Sequence, residues 1–511
     1  VRSDEGYGNE AELLSASPDP VNVDRLFFPM IQHRVLHCAS QFTQTTHHQS
    51  QMNEAASVPA IAAAAKNRQG KLLRILGLGF GLAVIIGNTI GAGILRTPGE
   101  VAAYLPNTWL FPGVWLIGGL YALLGAVSIA ELGAMIPRSG GQFVFVRRAL
   151  GDYPGFIVGW SDWVSTCGTV SLISMVIAEY SGVLIPALSS RAAIVASAVI
   201  ISFAVLQWRG VRWGSNVQNL TSLLKALAFI ALVAACFIFG GDQSGQINNS
   251  QSPVINERSM FLALILALQA VIYTYDGWTG VIYFSEEVRE PGRDIPRALL
   301  GGALSVMVIY LLVNLALLYV LPLSRIAGEP LAVGAAAQAV FGARGETIIR
   351  WLTIISMLSA INANSLMASR VLFGLGRDEL FSDRASVVNQ GGTPTVALLL
   401  STIVSVFFIV TGTFNQVIAV LAFFFVLNYA LSFFSVFVLR RKEPDTARPY
   451  RAWGYPWTTG LSLLGSVAFL IGAVAGDTRN SLYALLLLAL SYPVFLLLRR
   501  SRSLNRIKNY E

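Results

Sequence analysis

The sequence predicts an all-α polytopic membrane protein with twelve transmembrane helices. Three observations carry that expectation. Hydrophobic residues make up 54% of the 511 residues and charged residues only 13%, about half the charged share of a soluble domain. Beyond residue 72 the chain alternates between short loops and apolar runs near or above the roughly 20 residues that cross a bilayer. The Lys and Arg residues of those loops then fall almost entirely on one side.

The amino-terminal segment reads differently. Residues 1–70 are rich in Gln, Ser, Thr and His and hold no long apolar run, which predicts a polar, disordered cytoplasmic tail. No signal-peptide pattern is present, the chain begins with Val1, and Met52 is a candidate start. The four histidines, His33, His37, His47 and His48, all lie in this tail. The apolar body from 71 to 500 therefore holds no histidine, which excludes a histidine zinc site, a Ser/His/Asp triad or a histidine proton relay there; neither a metal nor a cofactor is expected. Of the three cysteines, Cys38 sits in the tail, and Cys167 and Cys236 sit inside apolar runs, so no disulfide framework is implied. The net charge is +8, but the basic residues lie between apolar runs, which argues against nucleic acid as a partner and for the lipid bilayer.

The candidate spans are 75–104, 109–136, 153–185, 191–208, 214–240, 259–287, 298–321, 346–374, 394–412, 415–439, 457–475 and 481–498. Several exceed the minimum length, which implies tilt or a break. With the amino terminus inside, the inner segments hold 25 Lys and Arg residues and the outer loops 6. A missed span would swap sides and blur this bias. Both termini are then cytoplasmic, and 501–511 is a basic cytoplasmic tail.

The first span reads GLAVIIGNTIGAGILRTPGEVA, with Gly87, Gly91 and Gly93 crowding its middle. Glycine weakens a helix through its backbone freedom, although close packing of small residues explains such a run equally well. The sixth span shifts the balance, because Asp276–Gly277 interrupts its apolar run at mid-depth. A charge there needs a partner or a water-filled cavity, and non-helical backbone survives at that depth only where it lines one. The two interruptions occupy matching places in two five-span halves of opposite topology, repeat one at 75–240 and repeat two at 259–439. Paired interruptions in an inverted repeat point to a transport site at the midplane.

The chemistry of such a site follows from its bare backbone. Where the first span restarts, the N–H groups of Ala92, Gly93 and Ile94 form a helix N-terminus that attracts a carboxylate. Where the halves end, the carbonyls of Thr89 and of Tyr273 to Asp276 accept bonds from an ammonium group. Gly91, Gly93 and Gly277 mark the unwound stretches. An anion site beside a cation site suits a zwitterionic α-amino acid.

These residues resemble the amino acid–polyamine–organocation superfamily, with its leucine-transporter fold of a 5+5 inverted repeat and discontinuous helices 1 and 6. The likeness is greatest to the L-type amino acid transporter branch and its bacterial exchangers, and it covers about residues 72–500. The carriers are GAGILRTP in the first span, YTYDGW and SEEVREPGRDIPRA in and after the sixth, and ELGAMIPRSGGQFVFVRRALG after the second. The resemblance implies that Ala92 and Gly93 donate to the substrate carboxylate, that the carbonyls of Thr89, Tyr273 and Asp276 hold the amine, and that Tyr273 is the outer gate. Ala92 stands where serine is frequent, and Leu95-Arg96 replaces the usual Phe and apolar pair; Arg96 is expected to pair with Glu100 at (i, i+4).

Lys225 lies in the middle of the fifth span, about ten residues from either side, too deep to snorkel easily. By resemblance it occupies the place of a bound sodium ion, which implies sodium-independent transport. Asp276 has two readings, a cap on the inner half of the sixth helix or a specificity residue favouring cationic side chains. Glu131, Glu286 and Glu287 are expected to pair with loop arginines, Glu179 to be solvated near the outer face and Trp278 to be packing. If protons couple to transport, Glu179 or Asp276 would carry them. The loop between the third and fourth spans, PALSSRAA, lacks the cysteine that heteromeric members use, so no disulfide-linked heavy subunit is expected. The expected function is secondary exchange of L-amino acids across the cell membrane by alternating access. A proton-coupled symporter is the alternative, and a membrane-embedded transferase the alternative of another class, disfavoured because the body lacks the acidic or histidine cluster it would need. No P-loop supports primary pumping.

Overall fold

A computed structural model describes residues 71–105, 107–240, 260–411, 414–476 and 478–508. All lie in one unit, Arg68–Glu511. The tail 1–70 with Met52, Cys38 and the four histidines lies outside the described residues, as does Arg258 of the outer loops.

The chain runs α1 (Leu78–Thr89), α2 (Ala92–Tyr104), α3 (Leu110–Met135), α4 (Phe143–Leu150), α5 (Asp152–Leu184), α6 (Ala192–Trp208), α7 (Val211–Phe239), α8 (Met260–Tyr275), α9 (Pro291–Val320), α10 (Ala332–Phe341), α11 (Ala343–Arg377), α12 (Thr395–Val410), α13 (Phe414–Lys442), α14 (Trp457–Gly476) and α15 (Thr478–Lys508). Among the described residues there is no strand, only two isolated bridges. Nine described helices are long and apolar enough to cross a membrane, and the pair α1–α2, bent by 45°, makes a tenth. The sixth and ninth candidate spans hold α8 and α12, each 16 residues. At 1.5 Å per residue that is about 24 Å, short of the roughly 30 Å hydrocarbon layer. The last helix, expected to end at 498, continues to Lys508 through most of the segment read as a tail, since nothing in RRSRSLNRIK breaks a helix.

Three short helices were not expected from hydropathy, one of them the four-residue helix Leu323–Ile326. α4 packs Phe143, Val144, Phe145, Val146 and Ala149 inward and turns into α5 at Gly151, whose φ of +102° suits glycine. α10 lies between the seventh and eighth candidate spans.

α7 shows how the chain orients its faces. Its buried residues recur at helical spacing and include Ser215, Gln218, Ser222 and Lys225. Its outer face carries Leu220, Leu223, Leu224, Leu227 and Ile230, each about half exposed. Polar groups inside and leucines outside is the reverse of a soluble helix, and it is stable only in lipid. Three apolar clusters organise the described interior, the smallest formed by Phe423, Phe424 and Ala484 of α13 and α15. A second is built by α5, α6, α11 and α12, through residues such as Val176, Ile200, Met357 and Ile409. The largest runs through most of the helices, α5, α11 and α12 included.

Candidate functional site at two interrupted helices

The first interruption falls at Ile90–Gly91. α1 stops at Thr89, Ile90 and Gly91 are extended, and α2 starts at Ala92 with no side chain capping it. Four carbonyls at the end of α1, where an ending helix loses its regular backbone partners, are met individually. Ile86 O takes the Ile90 N–H at 3.0 Å. The Lys225 ammonium donates to Gly87 O at 2.8 Å and Ile90 O at 2.6 Å. Tyr310 Oη donates to Thr89 O at 2.7 Å, and Ser356 Oγ to Ile90 O at 3.0 Å. Gly87 lets α7 and α11 pack close against α1, for a Cβ there would sit 2.0 Å from Gln218 Nε2 and 2.7 Å from Ser359 Oγ.

The second interruption follows Tyr275. Residues 276–279 form turns and Gly280–Phe284 a 3-10 helix. The backbone bonds tighten to i→i+3, as in Asp276 N to Tyr273 O at 3.1 Å and Gly280 N to Gly277 O at 3.1 Å. The next α-helix begins only at Pro291. Asp276 therefore caps no α-helix, contrary to one of its two readings, because Gly277 at φ +110° turns the chain away from helix. The Asp276 carboxylate instead accepts the hydroxyl of Tyr429. Trp278, read as packing, is buried and stacks on Tyr429 with ring centroids 5.1 Å apart.

The interruptions meet. A Cβ on Gly277 would lie 2.8 Å from Asn88 Nδ2 and 3.0 Å from the Thr89 nitrogen. Tyr310 Oη reaches Thr274 O at 3.2 Å as well as Thr89 O, so one hydroxyl joins both. Thr274 Oγ1 donates to Thr97 Oγ1 at 2.9 Å, linking α8 to α2. Beyond the second interruption, Leu76 N donates to Glu287 O at 2.8 Å and Arg289 N to Leu76 O at 2.8 Å, tying the entry of α1 to the same segment.

Between them lies a cavity of about 160 Å³. Thr89, Gly91, Ala92 and Gly93 line it from the first interruption, and Tyr273, Asp276 and Gly277 from the second. Ile94 is buried away from it, and Lys225 stands behind α1, fully buried and outside the lining. The remaining wall comes from α5 (Asp162, Thr166, Thr169), α11 (Asn364, Met367) and α13 (Phe425, Tyr429). Sequence reasoning had no motif for these. Asp162 was at least visible as a charged residue inside an apolar run, whereas Asn364, Tyr310 and Tyr429 gave no signal, because an amide or a phenol in a span is unremarkable until its polar group is placed.

The other acids divide as follows. Glu131 pairs with Arg440 at 2.5 Å and Arg448 at 3.2 Å. Glu286 pairs with Arg377. Glu287 and Arg370 form a two-bond pair at 2.9 and 3.1 Å with neither side chain exposed, so Arg370, counted with the inner basic residues, is buried in α11 and not in a loop. Glu179 is exposed. The expected Arg96–Glu100 pair is not found among the described residues: both are exposed, where water competes, and Glu100 accepts from Tyr104 Oη at 3.4 Å. Cys167 and Cys236 are buried and free, and no group of three or more metal-ligating side chains occurs among the described residues.

Comparison with known proteins gives a consistent answer. A family model described as amino acid permease matches residues 80–492. The chain is 28% identical over 437 residues to the serine/threonine exchanger SteT of Bacillus subtilis (strain 168), covering 83% of this chain and 96% of that one. It is 27% identical over 389 residues to b(0,+)-type amino acid transporter 1 of Mus musculus, covering 74% and 79%. It is 28% identical over 399 residues to large neutral amino acids transporter small subunit 2 of Homo sapiens, covering 74% and 72%.

Proposed function

The chain belongs to the amino acid permease family, and from that premise we propose that it exchanges small zwitterionic amino acids across a membrane by alternating access, without sodium. The observation that carries this reading is the single cavity shared by two interrupted helices. An interrupted helix offers a ligand what an intact one cannot, free N–H groups at one end and free carbonyls at the other. The substrate carboxylate docks on the N–H groups of Ala92 and Gly93 at the uncapped start of α2, helped by the helix dipole. The substrate amine is held by the carbonyls of Thr89, Tyr273 and Asp276, and the Tyr273 ring closes over it. Asp276 tunes the choice of side chain.

Lys225 stands where a coupling ion would otherwise be needed. Its ammonium already satisfies two carbonyls at the end of α1, so the interruption keeps its shape with no bound sodium. The moving part is built from α1, α2 and α8, rocking against a scaffold of α5, α6, α11 and α12. Twelve spans in a 5+5 inverted repeat, both termini on the cytoplasmic side, complete the reading; the lysine and arginine asymmetry supports the orientation. The names of the relatives, exchangers and transporters of amino acids, support the substrate class.

Reconstitution tests it. Proteoliposomes preloaded with unlabelled amino acid should take up radiolabelled serine or leucine in choline buffer, and empty ones should not. Uptake by empty vesicles under an imposed proton gradient would replace exchange with symport. No amino acid uptake under any condition would end the reading.

A further inference from the structure

We propose that a second cavity, at the entry of α1, binds the phosphate headgroup of an anionic phospholipid. It has a volume of about 400 Å³ and is walled by the approach to α1 and the first turns of α7. The approach to α1 is pinned in place. Leu76 pairs with Val288 in an isolated parallel bridge, and the Arg289 N–H donates to Leu76 O at 2.8 Å. That bridge sets Arg289 beside the entry of α1, where it lines the cavity together with Arg212 of α7. A Cβ on Gly77 or Gly79 would meet nothing within 4 Å, so the start of α1 leaves the space open.

Charge decides what the cavity accepts. Its wall holds Arg212 and Arg289 and no carboxylate. Arg138, Arg377 and Arg440 each meet an acid. Neither Arg212 nor Arg289 has an ion-pair or hydrogen-bond partner for its side chain among the described residues. Two unpaired guanidinium groups around one space suit a phosphate, whose oxygens accept their forked N–H donors. Asn216 and Asn219 in the same wall add amide donors. Position decides that the phosphate carries acyl chains. Trp208 and Trp213, each about half exposed, flank the start of α7 and mark the depth of lipid headgroups. Arg212, Asn216, Asn219, Leu223 and Leu227 follow one face of α7 at helical spacing, and the two leucines are exposed. From Arg212 to Leu227 that face runs about 22 Å, close to the depth of one leaflet with its headgroups. It passes from cation to amide to hydrocarbon, complementary to a phospholipid from head to tail.

Such binding requires only the bilayer and is independent of the transport reading. Purified protein in detergent is titrated with dioleoyl phosphatidylglycerol or dioleoyl phosphatidylcholine, and retained lipid is counted by native mass spectrometry. Glycerol 3-phosphate and inorganic phosphate, which lack acyl chains, are added as competitors. The wild type should retain phosphatidylglycerol at concentrations where it retains no phosphatidylcholine, and the soluble phosphates should not displace it at equal concentration. Arg212→Gln combined with Arg289→Gln should weaken that retention on the order of thirtyfold, about fivefold for each basic residue at an anionic surface. Both residues are exposed, so the double variant keeps the core packing. Arg209→Gln combined with Arg297→Gln removes the same charge from exposed residues outside the cavity wall and should leave retention unchanged. Equal retention of the two lipids by the wild type would overturn the proposal. So would equal losses in the two double variants, which would reduce the effect to general surface charge. Displacement by the soluble phosphates would make the cavity a site for free phosphate and overturn the lipid assignment.

Discussion

Replacing Lys225 with methionine keeps an unbranched chain one heavy atom shorter and removes its donors. The residue is fully buried, and its Nζ makes two bonds, to Gly87 O at 2.8 Å and Ile90 O at 2.6 Å. Ile90 O retains Ser356 Oγ at 3.0 Å. Gly87 O retains nothing that the described residues provide. A buried acceptor stripped of its partner costs about 1–3 kcal/mol, and a hydrogen bond from a charged donor is worth about 1.5–3 kcal/mol. Taken together the end of α1 loses about 3 kcal/mol of support, which at 1.4 kcal/mol per decade is about a hundredfold. We expect that loss in turnover, because the affected carbonyls belong to the interruption and not to the apolar contacts that hold α7 in place. The assay is initial uptake into proteoliposomes at matched protein density, with choline replacing sodium, fitted for KM and turnover. Lys225→Met within twofold of the wild type would refute the reasoning. So would a wild type that fails in choline and recovers in sodium, since the lysine would then not be standing in for the ion.

Three further outcomes follow from the geometry. Tyr310→Phe removes one hydroxyl that bridges Thr89 O and Thr274 O; at about 1 kcal/mol per bond, KM should rise on the order of tenfold with little change in melting temperature. Gly277→Ala forces a side chain onto φ +110° and against Asn88 and Thr89, a strain of about 1–3 kcal/mol that should abolish uptake while circular dichroism stays helical. Arg370→Met leaves Glu287 charged and alone in a fully buried place, so its melting temperature should drop sharply, consistent with about 3–5 kcal/mol; Arg370→Met combined with Glu287→Met should be more stable than the single variant, and a double variant worse than the single would count against the pair acting as a unit.

Much of the site could be read from the chain because the signals were chemical misfits. Gly87, Gly91 and Gly93 in a short stretch of span, and an Asp-Gly pair inside apolar sequence, each break the rule that a lipid-embedded helix keeps its backbone covered. Lys225 announced itself in the same way. Reading failed where a residue is ordinary in its own element. Tyr310 sits in a 30-residue helix with no local anomaly, and its role exists only because α9 passes both interruptions. The Asp276 cap failed for a related reason: a good N-cap residue caps only if the chain after it turns helical, and Gly277 turns it elsewhere. The Arg96–Glu100 pair shows that correct helical spacing on an exposed face does not by itself make a bond.

The sequence by itself determined the lipid environment, the places where helices break and the family, because hydropathy, glycine and misplaced charge act locally and leave their mark in order along the chain. Only the tertiary structure decided that the two interruptions abut, that Lys225 and Tyr310 complete the carbonyls of α1, and that Arg212 and Arg289 line one cavity. Those facts depend on distances between residues 36 to 221 positions apart, and no local preference of the chain encodes which distant hydroxyl or ammonium will arrive.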